Sequence, residues 1–382
     1  MRGTPRLLKR LLAKRLLTML LALLALQLGS LVAPAYACGC GAMVTNRMDR
    51  IGVDRETSAV HWDARTGTER IVMRFTVHGD AEKAAWVMPV PHRADVALGD
   101  PALFDQLDGL TAPERRTRDY FWPRGRDWPF SSDGDGASAG AMPGAGPGVG
   151  VVGRERLGPF DVARLTATDP TALGDWLHRN GFELSDRLAA ELRPYVAQKW
   201  EYVAVRLAPE KAGEPLYGAL DPLRISFPND RPVYPMRLSR LAATPQSLGL
   251  YVLSDHRMEP KDAIGGARPE VLFAGAVDRP DGALAELTGP GRVFLTAVDQ
   301  SFPEPARISG DHELVRAAAD TPYREIIWKD RLWTAGGIPV WLLTVTGTVL
   351  LLAAAGFAVA RTRRRGRADR PRPGASGVRS AA

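Results

Sequence analysis

The chain has 382 residues, with 50 Lys and Arg against 43 Asp and Glu, a formal charge of +7 and only two cysteines. The basic excess lies wholly at the ends: six basic residues and no acid in 1–37, and a net +7 in 361–382, leave residues 38–360 at −6. A nucleic-acid binder needs a basic footprint on its folded part, so that class is excluded. Both cysteines sit near the N-terminus, which also excludes a buried Cys–His nucleophile.

Arg2, Arg6, Lys9, Arg10, Lys14 and Arg15 precede an apolar run from Leu16 to Val32, and Ala35-Tyr36-Ala37 follows. This order of basic, apolar and small residues predicts a signal peptide over 1–37, cleaved after Ala37. The alternative is an uncleaved signal anchor. No Arg-Arg pair precedes the apolar run, so a twin-arginine route is not indicated. Cys38 and Cys40 flank Gly39 at the expected mature N-terminus. An exported location favours a Cys38–Cys40 disulfide. A lipid-modified Cys38 and a thiolate pair for a soft metal are the competing readings, although two sulfurs do not complete a zinc site.

Strand signals come next. Ser58–Asp63 and Arg70–Val77, joined through Ala64-Arg65-Thr66-Gly67, read as a hairpin. Ala84–Pro91 reads as a third strand whose prolines place its far end at a sheet edge or exit. In Tyr120–Phe130 five of eleven residues are aromatic. Aromatics beside arginines are enriched at binding hot spots, so Tyr120, Trp122 and Trp128 are the candidate partner-contacting residues. The competing reading buries Phe121, Trp122 and Trp128 in the core. Residues 131–153 are rich in Gly, Ala, Ser and Pro and read as a flexible loop. Asp133-Gly134-Asp135-Gly136 within it begins like a calcium loop but lacks the remaining acidic ligands.

Leu157–Leu165 resumes a strand. Asp169-Pro170 opens a helix carrying Leu173, Trp176 and Leu177, closed by Asn180-Gly181. Ser185 caps a second helix with Leu188, Leu192, Tyr195 and Val196 on one face. Trp200–Leu207 switches to period two. Leu223–Phe227, Val233–Leu238, Leu248–Leu253, Val271–Val277 and Val293–Val298 are further strands. Strands, a helix pair and strands again predict an α+β domain over 38–333, dominated by antiparallel sheet.

Several of these segments together are similar to a known family. They are Ala37-Cys38-Gly39-Cys40-Gly41, Trp86-Val87-Met88-Pro89-Val90-Pro91, the block Leu173–Phe182 leading into Tyr195-Val196 and Trp200–Val205, and Val233–Ser239. As a set they resemble the bacterial family catalogued as domain of unknown function 2330, over roughly residues 38 to 300. The resemblance implies an exported, membrane-tethered envelope domain and carries no activity, substrate or catalytic residue with it.

No catalytic motif is present: neither His-Glu-x-x-His, nor Gly-x-Ser-x-Gly, nor a phosphate-binding loop. No catalytic residue, metal site or cofactor is therefore assigned. Asp255-His256 offers half of a general-base pair, and Asp311-His312-Glu313 offers cation ligands, each set against an ordinary surface role. An enzyme would need a concave pocket joining a histidine to a carboxylate from a distant segment. His92, His178 and His256 are the histidines to examine for it.

Trp333 to Ala360 contains no charged residue and is followed by Arg361, Arg363, Arg364, Arg365 and Arg367. The 23 residues Ile338–Ala360 suffice to cross a bilayer as a helix, with Trp333 and Trp341 suited to the outer interface. The arginines favour a cytoplasmic C-terminus and a tail, 361–382, lying on anionic lipid. The expected protein is a single-span envelope protein, N-terminus out, with a binding or scaffolding ectodomain. Its expected partners are the lipid bilayer and an envelope protein or glycan. An envelope hydrolase or transferase is the alternative.

Overall fold

The computed structural model describes residues 41–45, 51–79, 81–128, 170–207 and 218–368, with 19, 36–38, 156–157, 160–165 and 216. Nearly all of the expected signal peptide, the Cys40 half of the expected disulfide, the side chain of Cys38, residues 131–153 and residues 369–382 lie outside this description. The chain forms two compact units. The first comprises Met1–Pro113 and Pro147–Glu325, the second Glu114–Gly146 and Ile326–Ala382.

In chain order the strands begin Tyr36–Cys38 (β1), Gly41–Thr45 (β2), Ile51–Asp63 (β3), Thr68–Gly79 (β4), Ala84–Val90 (β5) and Asp95–Leu98 (β6). Helix Ala102–Thr111 (α1) follows, then Glu114–Tyr120 (β7) and Phe160–Leu165 (β8). The helix pair is Pro170–Arg179 (α2) and Asp186–Ala197 (α3). Next come Glu201–Leu207 (β9), Leu223–Pro228 (β10), Val233–Tyr234 (β11), Gln246–Ser254 (β12), Met258–Pro260 (β13) and Glu270–Val277 (β14). Helix Gly282–Thr288 (α4), Val293–Phe302 (β15), His312–Arg316 (β16), Ile326–Leu332 (β17) and helix Val340–Ala368 (α5) complete the series.

The first unit is an α+β sandwich of mostly antiparallel sheet. One sheet runs β1-β2-β5-β9-β8, ending on Arg156–Leu157; the larger runs from Tyr323–Arg324 through β14-β15-β12-β3-β4-β10-β6. The pairing of β12 with β3 is the parallel exception within it. Period-two alternation decides which side chains meet. In β5, Ala84, Trp86, Met88 and Val90 enter the core between the sheets, with Val203, Val205 and Leu207 of β9 and Ile71, Met73 and Phe75 of β4. The intervening Ala85 and Val87, with Tyr202 and Ala204, instead pack under Leu173, Leu177, Leu188 and Leu192 of the helix pair. On the outer face of the larger sheet, Val72, Leu253 and Leu295 are covered by Leu103, Phe104 and Leu107 of α1 and Leu284 and Leu287 of α4. The layers are therefore helices, sheet, sheet, helices. Because β5 is buried on both faces, its sequence is a continuous apolar run. Pro89 lies beyond the last β2 partner of β5, at Ala42↔Val87, so its missing N–H interrupts no bond there.

Both helices of the pair close with the same hydrogen-bond pattern. After α2, Phe182 N–H donates to Leu177 O (2.8 Å) and Gly181 N–H to His178 O (3.0 Å), with Gly181 at φ +84°. After α3, Trp200 N–H donates to Tyr195 O (3.0 Å) and Lys199 N–H to Val196 O (3.0 Å), but the residue at positive φ (+59°) is Lys199. The Tyr195 and Trp200 rings, 5.0 Å apart, supply the hydrophobic contact of that motif. Ser185 caps α3 as expected, accepting from Leu188 N–H at 3.2 Å. The strand expected over Val233–Leu238 is shorter than the pattern suggests. Only Val233–Tyr234 pairs, because Pro235 has no N–H to continue the ladder, and a 3₁₀ turn occupies Arg237–Leu241.

In the second unit β7 and β17 form a two-stranded parallel strap, in register from Ile326↔Glu114 to Leu332↔Tyr120. A two-residue hairpin follows, pairing Thr334 with Pro339 and Ala335 with Ile338. Gly336 and Gly337 fill its turn at φ +60° and +82°, a geometry that two glycines adopt without strain. Helix α5 begins at Val340, two residues after the start expected from the apolar run, because Ile338 and Pro339 belong to the hairpin. Its stretch Val340–Arg365 is long and apolar enough to cross a membrane.

Candidate functional site

One end of the sandwich opens into a cleft of about 940 Å³. The C-terminal ends of β3, β5 and β12 bring Trp62, the Pro91-His92 exit and Ser254-Asp255-His256 to it. The turn after α3 adds Gln198 and Trp200, the segment between β10 and β11 adds Asn229–Pro232, and β16 adds Glu313–Arg316. The parallel β12–β3 pairing puts the ends of two strands distant in sequence side by side. That pairing is why the cleft gathers residues from so many segments.

The walls are fixed by hydrogen bonds. Buried Glu69 accepts from Asn229 Nδ2 (2.6 Å) and from the Val233 N–H (3.2 Å), clamping both ends of the segment that carries Asp230 and Arg231. Burial pushes the Glu69 carboxyl up to about 8 against these two donors. Trp62 Nε1 donates to Asn229 O (3.4 Å), and Ser254 Oγ donates to Trp62 O (3.0 Å). Asp311 Oδ1 accepts from Tyr195 OH (2.7 Å), Met236 N–H (2.8 Å) and Arg237 N–H (2.9 Å), which makes it a brace.

Against these committed groups stand Arg231 and Arg237, whose guanidiniums donate no hydrogen bond among the described residues. Both line the cleft, as do Trp62 and Trp200. The three consecutive residues Asp311, His312 and Glu313 go three ways. Asp311 braces the wall, His312 is buried against Phe302 with its rings 6.4 Å apart, and Glu313 pairs with Lys261 at 3.0 Å. Among the described residues no three metal-ligating side chains converge.

Of the three histidines to examine, His92 and His256 line the cleft, while His178 lies exposed in the last turn of α2. His256 Nδ1 lies 2.8 Å from Asp320 Oδ2, and Arg257 N–H donates to the other oxygen at 2.9 Å. These two bonds, the His256 one foremost, hold the Asp320 carboxyl below its ordinary range. A histidine oriented by a distant carboxylate is half of a general base. The neighbour in sequence, Asp255, is not its partner. Asp320 carried no local signal, since its meeting with His256 depends on the fold. Ser254 is buried and its hydroxyl is committed to Trp62 O.

The aromatic residues Tyr120, Trp122 and Trp128 lie in the second unit. Tyr120 OH donates to Asp127 Oδ2, and the Arg124 guanidinium stacks 4.6 Å over the Tyr120 ring. Trp122 and Trp128 are 58% and 46% exposed, so they are not core residues, and both contact Trp341 of α5.

No curated protein matches the chain. Among solved structures, the crystal structure of baculovirus P35 aligns over 73% of this chain and 98% of its own, at 9% identity. Its TM-score of 0.27 is too low to indicate a shared fold. A family model described as an uncharacterized protein conserved in bacteria (DUF2330) matches residues 34–315, which span the sandwich from β1 to most of β16 and leave out its edge strand Tyr323–Arg324. The chain belongs to that family of uncharacterised bacterial proteins.

Proposed function

We propose that this protein is a membrane-tethered binding protein of the bacterial envelope, whose cleft takes an anionic stretch of an envelope glycan. The reading rests on one observation: two indole rings and two guanidiniums that donate no hydrogen bond among the described residues share a cleft whose walls are otherwise braced. Indole faces suit sugar rings, and a guanidinium forms paired bonds with carboxylate or phosphate. The export signal, the apolar run of α5 and the arginines after it support an ectodomain outside the cytoplasm, a single span and a cytoplasmic tail.

The test uses the full-length protein in nanodiscs, titrated calorimetrically with soluble glycan fragments that carry carboxylate or phosphate groups, and with neutral oligosaccharides of matched length. Anionic fragments bind, and R231Q/R237Q weakens them by at least about tenfold, each charged hydrogen bond contributing ~1.5–3 kcal/mol. Equal binding of neutral and anionic fragments, or an unaffected double variant, rejects the reading.

The His256–Asp320 pair favours a second reading, an envelope hydrolase or transferase in which His256 activates a water or hydroxyl. In that case fragments incubated with the protein are cleaved or transferred, and H256A stops the reaction while fragment binding persists. Recovery of intact fragments after prolonged incubation removes this alternative.

A further inference from the structure

At the head of α5 the second unit gathers three indoles from two distant stretches of chain. The Trp341 ring centroid lies 5.4 Å from that of Trp128 and 6.4 Å from that of Trp122, and the Phe121 ring meets Trp122 edge-on at 5.3 Å. Backbone bonds hold the cluster in place. Trp333 N–H donates to Tyr120 O and Val340 N–H to Trp333 O, both at 2.9 Å, tying the strap and the hairpin to the first turn of the helix. The Asp127 carboxylate accepts from the Arg124 N–H at 2.9 Å and from Tyr120 OH, closing the turn that carries Trp128. Trp341 is only 9% exposed, and its indole N–H meets no acceptor among the described residues. Trp122, Trp128 and Trp333 leave about half of their surface uncovered.

We infer that Trp122, Trp128 and Trp341, flanked by Trp333, form an indole collar that seats in the outer membrane–water interface. The partner of the aromatic segment is then the lipid headgroup layer. This rests on the reading of α5 as a membrane span. The cluster is continuous with the span: Trp341 is the second residue of α5, and the charge-free helix runs on from it to Arg361. Indoles concentrate at this depth because the ring is apolar and the N–H finds headgroup acceptors. The half-exposed Trp122, Trp128 and Trp333 are the rings such a layer would contact. The charges beside the rings are neutralised in pairs: Arg118 and Arg331 of the strap pair with Asp330 and Asp119, and Arg124 of the aromatic segment also reaches Asp330. A loop shaped to grip a protein would not need its exposed indoles stacked on a membrane helix.

The test compares tryptophan emission of the full-length protein with that of W122F/W128F, W341F and W328F in nanodiscs. The discs are made from ordinary phosphatidylcholine or from phosphatidylcholine brominated at shallow or deep acyl positions. The emission removed by W122F/W128F is expected to be quenched about twofold or more in shallow-brominated discs, and less in deep-brominated ones. The emission removed by W328F, which lies on the strap, is expected to be unquenched. If the W341F difference is quenched and the W122F/W128F difference is not, the span stands and the collar is overturned. If neither is quenched, the span reading fails and the collar with it. Should the double variant lose its fold, W122F and W128F taken singly give the same comparison.

Discussion

Strand β5, in antiparallel ladders on both sides, and the parallel strap of β7 and β17 are held in place for opposite reasons. All seven residues of β5 are buried, and the strand is held by the apolar layers on its two faces. In β7 and in β17 six of seven residues are exposed. What faces outward there is a set of ion pairs, Arg118 with Asp330 and Arg331 with Asp119, each through two nitrogen–oxygen contacts. Apolar burial contributes roughly 25 cal/mol per Å², whereas exposed ion pairs contribute little and are screened by salt. The sandwich should therefore melt as one cooperative body, and the strap should open locally well before it.

The comparison breaks most directly at two tryptophans. Trp86 is fully buried between the sheets, 5.4 Å from the Phe75 ring. W86A should cost the sandwich about 3–5 kcal/mol, as for other buried aromatics cut to alanine. W128A removes as large a ring from the half-exposed cluster and should leave sandwich stability within about 0.5 kcal/mol. Urea midpoints followed by circular dichroism on the full-length protein check both. Equal shifts would show that the two regions share one core.

The buried titratable groups sharpen the same contrast through pH. Burial, foremost, holds His61 and His312 down at about 4, against 6.5 when unfolded. Between pH 6.5 and 4 the unfolded chain binds protons at these two sites that the fold refuses, so stability falls as pH drops through that window. Glu69 has the opposite sign. Burial raises it to about 8 from 4.5, so its neutral form is favoured in the fold and stability is lost as pH rises from 4.5 to 8. Together these three groups place the maximum for the sandwich near pH 6.5. E69Q should flatten the alkaline limb and steepen the acid limb between pH 4.5 and 6.5, where Glu69 opposes the two histidines. An alkaline limb that persists in E69Q assigns the loss to other groups.

What could be read in advance follows the same divide. The apolar run of β5, the alternation of β9 and the caps of α2 and α3 are local, and they were legible because burial writes its period into the sequence. Helix α1, as long as α2, buries only Leu103, Phe104 and Leu107 and has no side-chain cap, and α4 is seven residues long, so neither carried a paired signal of period and caps. The strap carried no signal at all. Glu114–Tyr120 has no apolar alternation, and its partner strand lies about 200 residues further on. The cleft was half legible: His92 and His256 were candidates, but Asp320 and Arg231 have nothing local to mark them. Their roles follow from non-local pairings such as β12 with β3.

A smaller effect tests the cap at the edge of the cleft. Lys199 occupies the left-handed position that ends α3, at φ +59°, where glycine is free of the Cβ penalty. K199G should stabilise the sandwich by about 0.5–1 kcal/mol, seen as a raised urea midpoint, with the neighbouring Gln198 and Trp200 still lining the cleft. A lowered midpoint would mean that the lysine side chain, not the backbone geometry, holds that turn.

The least effect on global stability should come from D330N, which removes the negative charge and one of the two acceptor oxygens that Arg118 and Arg124 share. All three side chains are well exposed, so the urea midpoint of the sandwich should not move. The change should appear in hydrogen exchange. Amides of β7 and β17 in D330N exchange faster than wild type at low salt, and the difference closes as salt rises and screens the wild-type pairs. Amides of β5 and β9 should be indifferent to both the substitution and the salt. If strap exchange does not respond to D330N, the backbone ladder alone holds the strap and the charges along it are incidental. If β5 responds as well, the strap and the sandwich open together, and the contrast between a ladder held by burial and one held by charge fails.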